Sequence, residues 1–145
     1  MLLRAIVNGT FLIMCVVIAY TDIQKQKIYN EAVAVLFVPA IVSFFVFPEV
    51  SALSRVLGAV SVSGLMTIIC LLIPGAFGGG DIKMMVPTGL FLGLEGTLLA
   101  GFTALLSAAI YSVVLWCKEQ NRKREFAFGP ALCIGIVIAQ VWYCL

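Results

Sequence analysis

Two aspartates are the residues of this sequence best placed to carry out chemistry. Asp81 follows three glycines at the end of a stretch, residues 56–80, that has no charged side chain, and Asp22 closes a second uncharged stretch, residues 5–21. A carboxylate at the edge of a bilayer is energetically costly, so such a group is by default a hypothesis for a functional site. Two such aspartates in one short chain predict that they act together in one functional site.

Two neighbouring carboxyl groups can hydrolyse a peptide bond without any other side chain. Because like charges a few ångströms apart do not both ionise easily, the pair holds one proton near neutral pH. The ionised group then takes a proton from water while the protonated group polarises the scissile carbonyl. The chain has no histidine, which excludes His-based triads and His metal sites. We therefore expect aspartic-protease chemistry from Asp22 and Asp81, with no metal and no cofactor.

Glycines and one lysine surround the second aspartate. Gly78, Gly79 and Gly80 lack a Cβ, so they are expected to let the backbone bend and approach an extended substrate peptide closely. Lys83 lies two residues beyond Asp81, where it either biases the aspartate charge or, as we prefer, reaches the lipid headgroups. Taken alone, three glycines usually mark a turn. The functional interpretation depends on their combination with the acids.

Composition identifies the environment of these residues. The chain is 63% hydrophobic and 11% charged, with a mean hydropathy of +1.15, whereas soluble domains are about 45–50% apolar and about 25% charged. This composition predicts an integral membrane protein, and its 145 residues predict one domain, 1–145. A net charge of +2 gives no reason to expect nucleic acid. The five cysteines form no CxxC pair and are expected to pack as small apolar residues.

The charged residues divide the chain into apolar segments of membrane-spanning length. A spanning helix needs about 20 mostly apolar residues, and the first segment is interpreted as a membrane helix because no small-residue cleavage site follows it. The fourth segment is short and is either a helix beginning at Asp81 or a re-entrant piece. We predict an all-α, polytopic membrane protein with about six transmembrane helices, near residues 3–21, 31–48, 56–75, 82–94, 96–117 and 127–145.

Basic residues predict the orientation of these helices. Seven of the nine Lys and Arg residues fall in the first, third and fifth connecting loops, and only Arg4 and Arg55 fall on the other side. The positive-inside rule places the three basic loops in the cytoplasm and both termini outside. Asp22 and Asp81 then open onto the same, cytoplasmic, face. The most basic tract, 118–125, is expected to be a solvated loop, with binding to anionic membrane lipid as a secondary role.

Three stretches of the sequence resemble motifs of the type IV prepilin peptidase family, which belongs to the GxGD-type membrane aspartic proteases. The stretch YTDIQKQKIYN resembles the family's first aspartate motif: Asp22, Ile28 and Asn30 match, and Tyr29 replaces the usual proline. The stretch GAFGGGDIKMM resembles the GxGD motif with a lysine two residues later, and FAFGPALCIG resembles the Phe-Gly-Pro stretch that starts the last helix. The order of the three stretches and the six-helix layout also fit, so the resemblance covers essentially the whole chain.

This resemblance implies a function. Asp22 and Asp81 would be the catalytic residues, and the partner would be a prepilin-like or pseudopilin-like precursor with a short basic leader and an apolar helix. Cleavage at the cytoplasmic boundary of a prokaryotic inner membrane would release the helix for a type IV pilus or a secretion filament. Longer family members carry a CxxC-containing region associated with N-methylation. This chain starts at its first helix, so we expect a peptidase-only form without methyltransferase activity.

Two alternatives remain open from the sequence. Presenilins and signal peptide peptidases also order an aspartate, a GxGD motif and a Pro-Ala-Leu, but here Thr21 separates Tyr20 from Asp22 and a polar loop follows. A non-catalytic membrane scaffold or a proton-coupled transporter also places acids in the membrane. The chain lacks the internal repeat of many transporters, and its acids lie at the rim rather than at mid-membrane.

Overall fold

The computed structural model describes residues 2–25, 28–118 and 128–144, and these residues form helices joined by short connections, without any strand. The predicted all-α class is therefore confirmed. Three of the helices have stretches long and apolar enough to cross a membrane, at Leu2–Lys25, Ala52–Leu72 and Gly79–Val114, and two shorter helices are also apolar. The elements are α1 Leu2–Lys25, α2 Asn30–Val46, α3 Ala52–Leu72, α4 Gly79–Lys118 and α5 Gly129–Cys144.

The start of α3 corrects one sequence-based boundary. We used Arg55 as a loop charge and expected the third helix to begin at residue 56, but α3 begins at Ala52 and buries Arg55 within its first turns. Ser51 caps this helix by accepting a hydrogen bond from the Ser54 N–H at 3.2 Å. Such a side-chain acceptor satisfies one of the N–H groups left unpaired at a helix start.

A single glycine interrupts α4. Gly93 has φ 73° and ψ −176°, a non-helical conformation in the region that glycine adopts readily. On either side of it, Gly89 packs against Ala59 and Gly101 packs against Val62. Gly89 and Gly101 would lie about 18 Å apart in a straight helix, whereas Ala59 and Val62 are about one turn apart. Since both pack against this short stretch of α3, α4 folds back on itself at Gly93.

The fold-back divides α4 into a first segment, 79–92, and a second segment, 94–118. These segments correspond to the fourth and fifth helices expected from the sequence, but the division lies at Gly93 rather than at the charged residue two positions later. The second segment is capped from α3, because the Leu94 N–H donates a hydrogen bond to Ser54 Oγ at 3.0 Å. The positive φ of Gly93 and the cap that Ser54 of α3 provides therefore fix the turn.

Charged side chains distinguish the two ends of the helix bundle. At one end, which we call the arginine end, Arg4 forms a salt bridge of 2.8 Å with Glu49, and Arg55 lies in the first turns of α3. At the other, the aspartate end, Asp22 lies in the last turn of α1 and Asp81 in the first turn of α4. The two acids thus share one end of the bundle, as the loop count predicted.

Part of the predicted basic surface lies outside the described residues. Lys27 and residues 119–127 are not described, so the expected loop at 118–125 is represented only by the end of α4. The first two residues of the third motif, Phe126 and Ala127, fall in the same range. Most of the basic residues assigned to the aspartate end are therefore placed there by the sequence and not by the structure.

Apolar packing connects the helices and leads to the aspartate end. The rings of Phe11 and Phe91 stack at 4.1 Å between α1 and α4. A second apolar cluster joins α3, α4 and α5 below Asp81 and includes Met66, Met85 and Leu132. Large apolar side chains such as Phe45, which is 85% exposed, cover the outside, as expected of a surface that faces lipid.

Candidate active site

The first aspartate is held by the start of the last helix. Asp22 is 6% exposed, and its Oδ2 accepts a hydrogen bond from the Gly129 N–H at 3.1 Å. Gly129 is the first residue of α5, so the carboxylate meets the positive end of a helix, a favourable arrangement. A Cβ at position 129 would overlap the Asp22 carboxyl group. The close approach therefore requires glycine.

The second aspartate has an unused acceptor. Asp81 is 5% exposed, and its N–H donates to the Gly78 carbonyl at 3.1 Å. Its Oδ1 is buried and accepts no hydrogen bond from the residues that the structure describes. A buried acceptor without a partner is energetically unfavourable and calls for an explanation, of which a catalytic role is one.

The two carboxyl groups belong to one site. Asp22 lies in the last turn of α1 and Asp81 in the first turn of α4, at the same end of the bundle, and their carboxyl groups interact electrostatically. The structure thus brings together the two residues that the sequence paired. Their role in catalysis stays a prediction.

The three glycines before Asp81 do not act as a bend. Gly79 and Gly80 already belong to α4, and the positive φ in this connection is at Gly75, with φ 86°. Gly80 instead lets the chain pack against Ile28, which a Cβ would overlap, whereas a Cβ at Gly79 would meet nothing within 4 Å. Gly79 therefore leaves exposed backbone beside Asp81.

Lys83 and Asn30 connect the first two motifs. The Lys83 Nζ donates a hydrogen bond to Asn30 Oδ1 at 3.0 Å, and both side chains are exposed. Among the described residues Lys83 makes no ion pair with Asp81. The lysine is thus anchored at the surface of the aspartate end, and its contact with lipid headgroups stays a prediction.

Tyr29 fills the position where the resembled family has proline. It precedes α2 with φ −73° and ψ 138°, and proline fixes φ near −65°. The tyrosine therefore adopts the backbone conformation that a proline would impose. Lys25 lies 5.2 Å from the centre of its ring, an attractive cation–π distance.

Residues of the third motif contact the site, although the sequence assigns none of them to it. Phe128 contacts Phe77 edge to face, with ring centres 5.1 Å apart, and Gly129 contacts Asp22. We had named this stretch only for its resemblance and assigned it no site residue. A usable signal was present, since glycine followed by Pro130 is typical of a helix start, where free N–H groups are available.

Comparison with known proteins identifies the family. A model of the type IV leader peptidase family matches residues 9–113. The chain belongs to the type IV leader peptidase family. The prepilin leader peptidase/N-methyltransferase of Bacillus subtilis (strain 168) is 28% identical to it over 134 residues, which cover 91% of this chain and 54% of that protein. The chain therefore spans about half the length of the curated relative that it matches. No solved structure matches it.

Membership in the leader peptidase family agrees with the helical, apolar structure and indicates a multi-pass membrane protein of a peptidase family. The matched range contains both aspartates and the Asn30–Lys83 hydrogen bond. It ends before Gly129, so the contact between Asp22 and the start of α5 is an addition from the structure.

Proposed function

We propose that this leader peptidase family member is an aspartic endopeptidase that removes the leader from prepilin-like precursors, with Asp22 and Asp81 as its catalytic pair. The observation that carries the proposal is the position of two buried carboxyl groups at one end of the bundle, where they interact electrostatically and where Asp81 Oδ1 lacks a partner among the described residues. Family membership supports the substrate class.

The different surroundings of the two acids assign their roles. Asp22 accepts a hydrogen bond from a helix N-terminus, and this hydrogen bond favours the ionised form of its carboxyl group. We therefore assign Asp22 as the general base. Asp81 lacks such a donor at Oδ1, so we assign it as the protonated partner of the pair.

The reaction needs only these two groups and water. Asp22 takes a proton from the water, whose oxygen attacks the scissile carbonyl carbon, while Asp81 gives its proton to the carbonyl oxygen. The tetrahedral intermediate then collapses: the C–N bond breaks, the leaving nitrogen receives the proton held by Asp22, and Asp81 takes back a proton from one hydroxyl group as the carbonyl re-forms. No covalent bond to the enzyme forms. Gly79 provides backbone against which the substrate could lie extended.

We further propose six membrane crossings, with the aspartate end in the cytoplasm and both termini outside. The fold-back at Gly93 supports six, because it makes two helices of α4. The positive-inside rule supports the orientation, since seven of the nine Lys and Arg residues fall in the first, third and fifth loops, and Lys25 and Lys83 among them lie at the aspartate end. Leader removal would then take place at the inner surface of a prokaryotic cytoplasmic membrane.

The proposed partners are a prepilin-like or pseudopilin-like precursor and the surrounding lipid. The Bacillus relative is described as a prepilin leader peptidase, and this chain matches it over most of its own length. Removal of a leader would free the apolar helix of the precursor for assembly into a pilus or secretion filament.

Co-expression with a prepilin-like precursor tests the proposal. Leader removal, followed as a shift on a gel, should be lost with Asp22→Asn and with Asp81→Asn. Glu31→Gln is the matched control, because Glu31 is an exposed acid in the first turn of α2 at the same end. Leader removal that survives both aspartate substitutions would falsify the proposed function.

A further inference from the structure

An apolar groove runs along the outside of the bundle toward the aspartate end. It encloses about 200 Å³ between α3 and the second segment of α4 and is lined only by apolar residues, with the start of α5 at one end. An apolar cavity of about 150 Å³ is enough to hold benzene, so this groove has room for side chains of another molecule. Its walls include Val62, Met66 and Ile69 on α3 and Leu98, Phe102 and Leu105 on α4.

Two aromatic rings join this groove to the proposed catalytic pair. Phe77 and Phe128 line the groove and contact each other edge to face at 5.1 Å. Phe77 directly precedes the glycines that lead to Asp81, and Phe128 directly precedes Gly129, which binds Asp22. The groove is therefore continuous with the site through both of its aspartates.

We propose that this groove binds the apolar helix of the precursor, with Phe77 and Phe128 at the end nearest the scissile bond. The proposal rests on the proposed function and specifies how its substrate is held. A precursor helix must stay in the bilayer while the bond at its end reaches Asp22 and Asp81. A groove that begins at Phe77 and Phe128, next to the proposed site, and continues along α3 meets both requirements.

The dimensions of the groove suit a helix. Its α3 wall runs from Val62 to Ile69, which is about 10 Å, or two helical turns. Inside a bilayer, lipid tails are as apolar as side chains, so helices associate through close van der Waals fit rather than through the hydrophobic effect. Gly101 belongs to the α4 wall and packs against Val62, so the two walls approach each other closely there.

A second groove lies on the other side of the first segment of α4, and its chemistry is different. It encloses about 280 Å³ and is lined by Phe37, Val33 and Val86, together with Asn30 and Lys83. The Lys83 ammonium at this groove would repel a basic leader. The all-apolar groove is therefore the better binding site for the apolar helix of the precursor. The second groove serves as a comparison in the experiments.

Photo-crosslinking from three phenylalanine positions tests the proposal. We would replace Phe102, Phe37 or Phe45 with p-benzoylphenylalanine in an Asp81→Asn background, which keeps the precursor uncleaved. Phe102 reports on the proposed groove, Phe37 on the second groove and Phe45 on the outer surface of α2. We expect adducts with the precursor helix to be at least fivefold more abundant from position 102. Adducts mainly from position 37 or 45, or position 102 labelling only lipid or a second copy of the chain, would overturn the proposal.

A groove-filling substitution gives a second, kinetic readout. Leu105→Trp places an indole in the groove, and Leu106→Trp is the matched control, because the neighbouring residue is equally exposed (both 49%) and does not line the groove. Leu105→Trp should slow cleavage of a precursor with its whole apolar helix at least tenfold and leave a precursor truncated shortly after the cleavage site unaffected. Equal effects on both precursors, or no effect, would contradict the groove.

The two experiments separate this proposal from the proposed function. If the unmodified chain cleaves neither precursor, the proposed function fails, and the crosslinking pattern still decides whether the groove binds a helix. If the unmodified chain cleaves both precursors in an aspartate-dependent way and position 102 gives no adduct with the precursor helix, only the groove proposal fails.

Discussion

The two ends of the bundle bury charges in opposite ways. At the arginine end, Arg55 is 1% exposed, and its guanidinium donates to the carbonyl oxygens of Phe47 at 2.8 Å and Leu90 at 2.7 Å and to Ser43 Oγ at 2.6 Å. At the aspartate end, Asp81 is also buried, with 5% of its surface exposed, but its Oδ1 has no hydrogen-bond donor among the described residues. A buried charge whose hydrogen bonds are satisfied acts as structure, whereas one left unsatisfied is available to a reactant.

The partners of Arg55 explain its structural role. Phe47 follows the end of α2, and Leu90 lies at the end of the first segment of α4. Helix ends leave carbonyl oxygens without partners, and a cation there is also favoured by the helix dipole. One side chain of α3 therefore fastens two other helices and supports the fold-back at Gly93.

Asp81→Asn is expected to give the largest functional effect of the substitutions that probe this contrast. Cleavage should fall by at least about 10²-fold, because a general acid is removed. Thermal stability in detergent should stay the same or rise, because the variant removes the unfavourable electrostatic interaction between the two carboxyl groups. Normal cleavage together with a much lower melting temperature would mean that Asp81, like Arg55, has a structural role instead.

Arg55→Met should show the reverse pattern. Removing the guanidinium takes a donor from several carbonyl oxygens, including those of Leu90 and Phe91, and a buried acceptor left without a donor typically destabilises by about 1–3 kcal/mol. We expect a loss of at least about 2 kcal/mol of stability, with normal cleavage per folded molecule. Arg55→Lys keeps the charge but has fewer donors, so its stability should lie between that of the unmodified protein and that of Arg55→Met. Unfolding followed in detergent, with cleavage normalised to folded protein, checks this. Undiminished stability in Arg55→Met would remove the basis of the comparison.

Gly129→Ala should disturb the aspartate end without removing a charge. The new Cβ would overlap the Asp22 carboxyl group, and displacement of a catalytic group by about 1 Å can reduce the rate about 10²-fold. We expect a ten- to hundredfold lower cleavage rate. Gly9→Ala in α1 is the control, since its Cβ would meet nothing within 4 Å. Equal rates for the two variants would show that the contact of Asp22 with α5 has no role.

Lys83→Met and Asn30→Ala should have the smallest effects. They remove one exposed hydrogen bond, which typically contributes about 0.5–1.5 kcal/mol, so cleavage should fall less than tenfold. Because both substitutions break the same bond, the double variant should be no worse than the stronger single variant. Additive losses in that cycle would mean that the two residues act separately.

The sequence predicted the position of the aspartates better than the contacts that hold them. Uncharged stretches and the alternation of basic loops placed Asp22 and Asp81 at one end, because the bilayer imposes a length on each helix and a side on each loop. These constraints are local in sequence. They required no knowledge of which helices touch.

Features that depend on contacts between helices were not predicted. Arg55 was interpreted as a loop charge, because nothing near it in the sequence shows that Phe47 and Leu90 supply its acceptors. The turn in α4 was expected at Glu95, because a charge is visible in the sequence, whereas the positive φ of Gly93 appears only in the folded chain. The hydrogen bond from Gly129 to Asp22 likewise joins opposite ends of the sequence.

The central claim is that Asp22 and Asp81 act as one catalytic unit, and a double-mutant cycle tests it most directly. Single-turnover cleavage of a prepilin-like precursor would be measured with the purified chain in vesicles, for the unmodified protein, Asp22→Asn, Asp81→Asn and the double variant. Residues that act as a unit lose activity non-additively, so we predict that each single variant is as inactive as the double one. A single variant that keeps a substantial fraction of the unmodified rate, or losses that simply multiply, would contradict the account.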